Sequence, residues 1–109
     1  MYEILHYQTA AGTAVYEEWA RRLHDKTAEM KLAARIERLQ LGNFGDVKPV
    51  GHGIYELRID YGPGYRIYYA VVGRRIILLL CGGDKRRQSA DIAAAVQYLM
   101  DYRERSAQS

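Results

Sequence analysis

The spacing of apolar residues changes its period once along the chain, near residue 42. An apolar segment over residues 2–7 predicts a first strand, and two stretches with helical spacing follow it. The first stripe is Val15, Trp19, Ala20 and Leu23, and the second is Ala28, Leu32, Ile36 and Leu39. Asp25 or Thr27 can cap the second helix, and Gly42 can end it. The first part of the chain therefore predicts a strand and a helical hairpin.

From Val47 the pattern becomes that of β-strands separated by glycine-rich turns at 51–53, 62–64 and 73. This spacing predicts an antiparallel meander. The strand over residues 75–81 is apolar at every position after its first, so we expect both of its sides to be covered and the strand to be central in the sheet.

A final helix is predicted after a loop over residues 82–89. Its apolar stripe is Ile92, Val96 and Leu99. From Arg103 onward we expect the chain to fray. The prediction is an α+β fold in which an N-terminal strand and a helical hairpin pack on an antiparallel β-meander, with a C-terminal helix, in a single domain spanning residues 1–109.

The meander brings polar side chains together on one sheet face. A three-residue loop at the second glycine-rich turn would place Asp60 opposite Arg66. In the same register Arg58 lies opposite Tyr68, on the face away from Leu57. We expect this face to be exposed, with two arginines and a tyrosine standing together on it.

Charge is distributed unevenly along the chain. The net charge is +3, but residues 47–90 carry eight Lys and Arg against three Asp and Glu, a local +5. A charged stretch is usually a solvated face, yet here the cations alternate with strand aromatics, which favours a surface for a polyanion such as RNA. Cys81 lies in an apolar run and is predicted to be a small buried residue. No leader or membrane span is recognisable, so we expect a cytoplasmic protein.

Several kinds of chemistry find no support in the residue pattern. The segment 82–85, Gly-Gly-Asp-Lys, lacks the spacing of a nucleotide-binding loop. The histidines and Cys81 have no metal-ligand spacing, and no hydrolase triad is visible. We therefore expect no metal and no cofactor.

Six cations in the sheet and its exit loop are the remaining candidates: Lys48, Arg58, Arg66, Lys85, Arg86 and Arg87. Arginine donors match phosphate oxygens and can stabilise the charge of a phosphorane during RNA cleavage. Cleavage also needs an acid and a base. His52, in a glycine-flanked turn, is one candidate, although such a histidine is more often an exposed bystander. Tyr68 can stack on a base, donate a proton or simply pack in the strand. Glu56 is a further candidate acid or base, but its position beside Arg58 is equally explained by cross-strand charge pairing.

Four ordered segments resemble a known family. They are Gly42-Asn43-Phe44-Gly45-Asp46, Glu56-Leu57-Arg58-Ile59, Gly62-Pro63-Gly64-Tyr65-Arg66-Ile67-Tyr68-Tyr69, and Gly82-Gly83-Asp84-Lys85 with Gln88. Together with the order of elements, they resemble the RelE/ParE toxin superfamily, and within it the HigB-like "addiction module killer" branch. The resemblance covers essentially the whole chain.

The resemblance implies a type II toxin that is neutralised by a helix-turn-helix antitoxin. RelE-like members are ribosome-dependent endoribonucleases that cut mRNA without a cofactor. Arg66 falls on a phosphate-contacting arginine of RelE, Arg58 on a catalytic strand lysine, and Arg86 on an exit-loop arginine. Glu56 and Ile92 depart from the RelE pattern, at positions where RelE has a lysine and a tyrosine. The resemblance therefore leaves the general base unassigned.

The leading hypothesis is that Arg58, Arg66 and Arg86 bind the scissile phosphate of mRNA on the ribosome, with His52 as a candidate acid or base. The predicted substrate-binding residues are Lys48, Tyr68, Lys85 and Arg87. A ParE-like toxin that binds DNA gyrase and an inactive RNA-binding member of the fold are the alternatives. The oligomeric state and the antitoxin-binding surface stay open.

Overall fold

The computed structural model describes residues 1–108 as one five-stranded mixed sheet with helices on both faces. The elements, in chain order, are β1 (Glu3–His6), α1 (Val15–Arg22), α2 (Lys26–Gln40), β2 (Val47–Gly51), β3 (Ile54–Ile59), β4 (Tyr65–Val72), β5 (Ile76–Asp84) and α3 (Gln88–Ala107). A single 3-10 turn, Lys85–Arg87, joins β5 to α3. The strand order is β1-β5-β4-β3-β2, with β1 parallel to β5 and the other pairs antiparallel. The predicted α+β architecture is confirmed.

The two ends of α2 carry the predicted capping residues. Asp25, rather than Thr27, is the N-cap, and its carboxylate accepts a hydrogen bond of 3.1 Å from the backbone of the first turn. Gly42 follows the helix with a φ of 84°, a conformation in which a side chain would be strained. The Asn43 amide then donates to the carbonyl of Arg38 over 2.9 Å, which completes a Schellman motif.

Each face of the sheet buries its own apolar cluster. Helices α1 and α2 cover the face of Leu57 and Ile67, and α3 covers the opposite face through Ala95 and Leu99. Ile77–Leu80 of β5 have no exposed surface, which confirms that this strand is covered on both sides. β5 is an interior strand, while β4 occupies the middle of the five.

The end of β5 differs from the prediction. The strand was expected to stop at Cys81, but it continues through Gly82 and Gly83. A Cβ on Gly82 would lie 2.3 Å from the Trp19 ring on one face, and a Cβ on Gly83 would lie 1.8 Å from Asp91 Oδ2 on the other. Both glycines are strand residues over which other side chains pack closely, which is a known use of glycine within a sheet.

The pairing of β3 with β4 also differs from the prediction. Arg58 lies opposite Arg66, and Glu56 lies opposite Tyr68, so the predicted register was wrong by two residues. The cause is the connection, which spans the five residues 60–64 rather than three. Because a shift by two preserves the side of the sheet, these four side chains still share one face.

That face is not exposed as predicted, because α3 packs across it. Glu56 and Tyr68 have no exposed surface. The predicted stripe of α3 is confirmed, since Leu99 is buried and Ile92 and Val96 pack against the same cluster. The predicted fraying from Arg103 was wrong, because the helix continues to Ala107.

The last turns of α3 are held by a polar contact with the N-terminal part of the chain. Arg105 bonds to Asp101 over 2.7 Å and to the backbone carbonyl of Gln8, and Asp101 accepts a 2.6 Å hydrogen bond from the hydroxyl of Tyr7. Within residues 1–108, no helix is long and apolar enough to cross a membrane.

Candidate functional site

A buried carboxylate, that of Glu56, lies at the centre of the polar face. Glu56 has no exposed surface, although the sequence places it among strand residues predicted to be exposed. The sheet register explains which side chains surround it. Lys48 of β2 and Tyr68 of β4 are its direct cross-strand neighbours, and Arg58 and Arg66 form the next pair along the same face. We call Lys48, Glu56, Arg58, Arg66, Tyr68 and Gln88 the Glu56 cluster.

One carboxylate oxygen of Glu56 faces three cations. Its Oε1 lies 3.1 Å from Nε of Arg58, 3.7 Å from Nε of Arg66 and 4.0 Å from Nζ of Lys48. The first contact is a hydrogen bond, and the other two are ion pairs at longer range. The structure therefore brings together four of the predicted site residues, namely Lys48, Arg58, Arg66 and Tyr68. They surround Glu56, an acid that the sequence did not assign to the site.

The other oxygen of Glu56 is held by neutral donors. Oε2 accepts a 3.1 Å hydrogen bond from the hydroxyl of Tyr68 and one of 2.6 Å from Nε2 of Gln88, at the start of α3. Burial on its own raises the pKa of Glu56, but the hydrogen bonds from Arg58, Gln88 and Tyr68 outweigh it, and the pKa lies below its usual value. Glu56 is therefore a fixed negative charge at neutral pH.

The cations of the cluster differ in their access to solvent. The side chains of Lys48, Arg58 and Arg66 are 46%, 36% and 11% exposed. Arg66 donates from Nη1 to the backbone carbonyl of Tyr65 over 3.1 Å, while its buried Nε has no hydrogen-bond partner among residues 1–108. Arg58 and Lys48 thus present positive charge at the surface, and Arg66 lies beneath them with donor capacity unused.

The 3-10 turn adds three exposed cations beside the cluster. Lys85, Arg86 and Arg87 are exposed and come directly before Gln88, whose amide bonds to the central carboxylate. Arg86 is 83% exposed and pairs with Asp84 over 3.2 Å. The hydrogen bond from the Arg86 side chain lowers the pKa of that aspartate. The cluster and the 3-10 turn therefore form one basic surface at this end of the sheet.

A second carboxylate, that of Asp91, lies near the cluster and was not among the predicted site residues. Its Oδ2 packs over Gly83, which lies directly opposite Arg66 in the β4–β5 register. Oδ2 is buried without a hydrogen-bond partner in the described part of the chain, and Oδ1 lies 3.9 Å from Nε of Arg87. Burial raises the pKa of Asp91, the charge of Arg87 opposes this, and the charge of Asp84 adds to it. The sequence signal for this close packing is the pair Gly82-Gly83, whose pattern predicts a loop although both glycines lie in β5.

Two predicted site residues have other surroundings. His52 lies in the β2–β3 turn with a φ of 58° and lines a surface pocket with Arg103 of α3. No residue of the Glu56 cluster lines this pocket, so the structure does not bring His52 to the cluster. The sequence left Tyr68 open as a stacking surface for a base, a proton donor or a packing residue. Its complete burial under α3 contradicts stacking and agrees with packing, and its hydroxyl donates to Glu56.

Cys81 is 4% exposed, and burial followed by the charge of Asp91 raises its pKa to about 12, so it is a buried structural residue as predicted. Within residues 1–108, no group of three or more His, Cys, Asp and Glu side chains is placed to hold a metal ion.

Comparison with known proteins identifies a family. Residues 18–97 match the family described as phage derived protein Gp49-like (DUF891). A protein of Haemophilus influenzae, described only as uncharacterized, is 49% identical over 83 residues, which cover 76% of this chain and 84% of that protein. The matched range begins within α1, ends at the middle of α3 and includes the whole Glu56 cluster. The chain belongs to the Gp49-like family of phage-derived proteins.

Proposed function

We propose that this protein is the toxin of a type II toxin–antitoxin module and acts as a metal-independent endoribonuclease that cuts mRNA on the ribosome. Membership of the Gp49-like family fits the resemblance of the four sequence segments to HigB-like toxins. The observation that carries the proposal is the pairing of Arg58 and Arg66 on adjacent strands, beside the exposed cations of the 3-10 turn. Such an arrangement suits a phosphate with charge on several oxygens.

In this proposal the arginines stabilise the transition state of RNA cleavage. The 2′-oxygen attacks the adjacent phosphorus to form a 2′,3′-cyclic phosphate, and the bond from phosphorus to the 5′-oxygen breaks as that oxygen takes up a proton from water. Arg58, Arg66 and Arg86 offset the charge that develops on the phosphate oxygens. Lys48, Lys85 and Arg87 hold the neighbouring RNA backbone, since they are exposed cations of the same surface.

Asp91 is our candidate for the group that accepts the 2′-hydroxyl proton. It packs beside the β-strand position opposite Arg66, and a carboxylate with a raised pKa is a better base at neutral pH. Glu56 is unsuited to this role because its pKa is lowered and both of its oxygens are engaged. His52 lies outside this arrangement.

The main competing function is that of a ParE-like toxin, which binds DNA gyrase and needs no phosphate site on the sheet. One observation favours it: Arg58, Arg66 and Arg86 all lie within ion-pair distance of a carboxylate of the chain itself. Both toxin hypotheses include a helix-turn-helix antitoxin as partner. An experiment on the fate of mRNA separates them.

The test is induced expression followed by mapping of mRNA 5′ ends, for the wild type, Arg66→Ala, Arg86→Ala and the control Arg74→Ala. Arg74 is an exposed arginine in the β4–β5 turn, at the far end of β4 from Arg66. We expect growth arrest with codon-phased cuts in the wild type and the control. Removing one transition-state donor lowers the rate by about 100-fold, so the cuts should disappear in the other two variants. Growth arrest with intact mRNA would exclude the nuclease and favour gyrase.

A further inference from the structure

We infer that Glu56 is a positioning residue, which orients Arg58 and Arg66 for the phosphate without itself touching the RNA. The inference rests on the proposed nuclease function. Glu56 is an acid at the centre of a basic site, so electrostatics alone predicts that removing its negative charge would strengthen RNA binding. A positioning role explains why an acid lies there.

The two oxygens of Glu56 have separate tasks. Oε2 is fixed by the hydroxyl of Tyr68 and the amide of Gln88, at 3.1 and 2.6 Å. Tyr68 is completely buried, and Gln88 is the first residue of α3, so both donors belong to the packed framework. The carboxylate is therefore anchored on one side by the sheet and on the other by a helix.

The second oxygen, Oε1, is directed at the arginines. It lies 3.1 Å from Nε of Arg58 and 3.7 Å from Nε of Arg66. In both cases the contact is to the inner Nε atom, which leaves the outer nitrogens of Arg58 without an acceptor among residues 1–108. Those outer nitrogens form the part of a guanidinium that binds a phosphate with two hydrogen bonds. Glu56 thus restrains both side chains and leaves the outer edge of Arg58 available, whereas Nη1 of Arg66 is bonded to the Tyr65 carbonyl.

Glu56 also reduces the repulsion between its two partners. Arg58 and Arg66 are direct cross-strand neighbours, an arrangement that is unfavourable for like charges. A shared anion near both Nε atoms permits the two guanidinium groups to stay close together. Without it, we expect each guanidinium to turn toward solvent and away from the other.

A positioning role predicts a divergence between binding and cleavage. Glu56→Gln keeps the size of the side chain and removes its charge. We expect the affinity for the mRNA–ribosome complex to stay equal or increase. The maximal cleavage rate should fall by about 100-fold, the effect expected when reacting groups are misplaced by about 1 Å. A residue that serves only to hold the fold would not separate these two quantities.

The experiment measures single-turnover cleavage of mRNA on programmed ribosomes at increasing concentrations of purified protein. The maximal rate and the half-saturating concentration are compared for the wild type, Glu56→Gln, Tyr68→Phe and Glu104→Gln. Glu104, exposed in the last part of α3, provides the same chemical change away from the site. Tyr68→Phe removes one anchor of Oε2 without changing any charge, so we expect a smaller fall in rate and no change in affinity.

Each outcome bears on a different claim. A lower maximal rate in Glu56→Gln and Tyr68→Phe, with wild-type behaviour in Glu104→Gln, supports the inference. Equal maximal rates in the wild type and a folded Glu56→Gln overturn it and leave the nuclease function standing. If Glu56→Gln does not fold, Tyr68→Phe decides, and an unchanged rate there overturns the inference. Absence of cleavage by the wild type refutes the proposed function, and this inference with it.

Discussion

Replacement of Gly83 by alanine tests how closely α3 packs on the polar face of the sheet. The new Cβ would lie 1.8 Å from Oδ2 of Asp91 and 2.8 Å from its Cγ, far inside contact distance. Gly83 is held in a paired strand, and the Asp91 carboxylate is packed over it with Oδ2 buried, so relief requires this side chain to turn away from the strand or α3 to shift. Overpacking of this kind costs about 1–3 kcal/mol. The entropy of unfolding of a chain of 109 residues converts this to a fall in Tm of about 4–13 °C.

The assay is a double-mutant cycle measured by thermal or urea unfolding. Asp91→Ala removes the atoms that the new Cβ would meet, so Gly83→Ala should cost at least about 1 kcal/mol less in that background. Gly82→Ala is the matched control, because its Cβ meets the Trp19 ring on the opposite face and Asp91→Ala should not relieve it. An equal cost of Gly83→Ala with and without Asp91 would refute the reasoning. It would also remove the support for placing Asp91 over Gly83, the residue opposite Arg66.

Two further predictions concern acid stability and thiol reactivity. The pKa of Glu56 is lower in the folded than in the unfolded chain, so its contribution is present above about pH 4.3 and lost as the pH falls through the folded value. The free energy of unfolding should therefore decline more steeply in the wild type than in Glu56→Gln as the pH falls below about 4.3, and parallel curves would contradict this. Cys81 is buried and its pKa is raised to about 12, so iodoacetamide at pH 8 should label the unfolded but not the native protein. Rapid labelling of the native protein would show that Cys81 is accessible.

The sequence predicted the order of elements because periodicity reports directly on which side chains are buried. The helical stripes ending at Leu39 and the alternation in β3 both correspond to observed elements. The register of β3 with β4 depended instead on the length of one connection, which was counted as three residues and is five. The face assignment of Arg58 and Arg66 survived this error, since a slip of two residues leaves every side chain on its own side.

The burial of the polar face could not be predicted from strand alternation. Glu56, Arg58 and Arg66 occupy alternate positions, a pattern typical of a solvated face. What buries Glu56 is α3, whose first residue, Gln88, reaches the carboxylate from a segment 32 positions later in the chain. Strands β2, β3 and β4 and the first residue of α3 all contribute side chains around this carboxylate, and no local pattern records such a convergence.

The buried acid makes the basic site more consistent with phosphate binding. Three cations around Oε1 of Glu56 leave the group with two net positive charges, enough to attract a phosphate. Without Glu56 the cross-strand pair Arg58 and Arg66 would repel, and each would find its own position in solvent. A surface that only attracts RNA binds it more tightly with every added cation. A site that must hold hydrogen-bond donors in fixed positions is better ordered when a fixed anion lies among them. The lowered pKa, the complete burial and the two neutral anchors of Glu56 all agree with the second requirement.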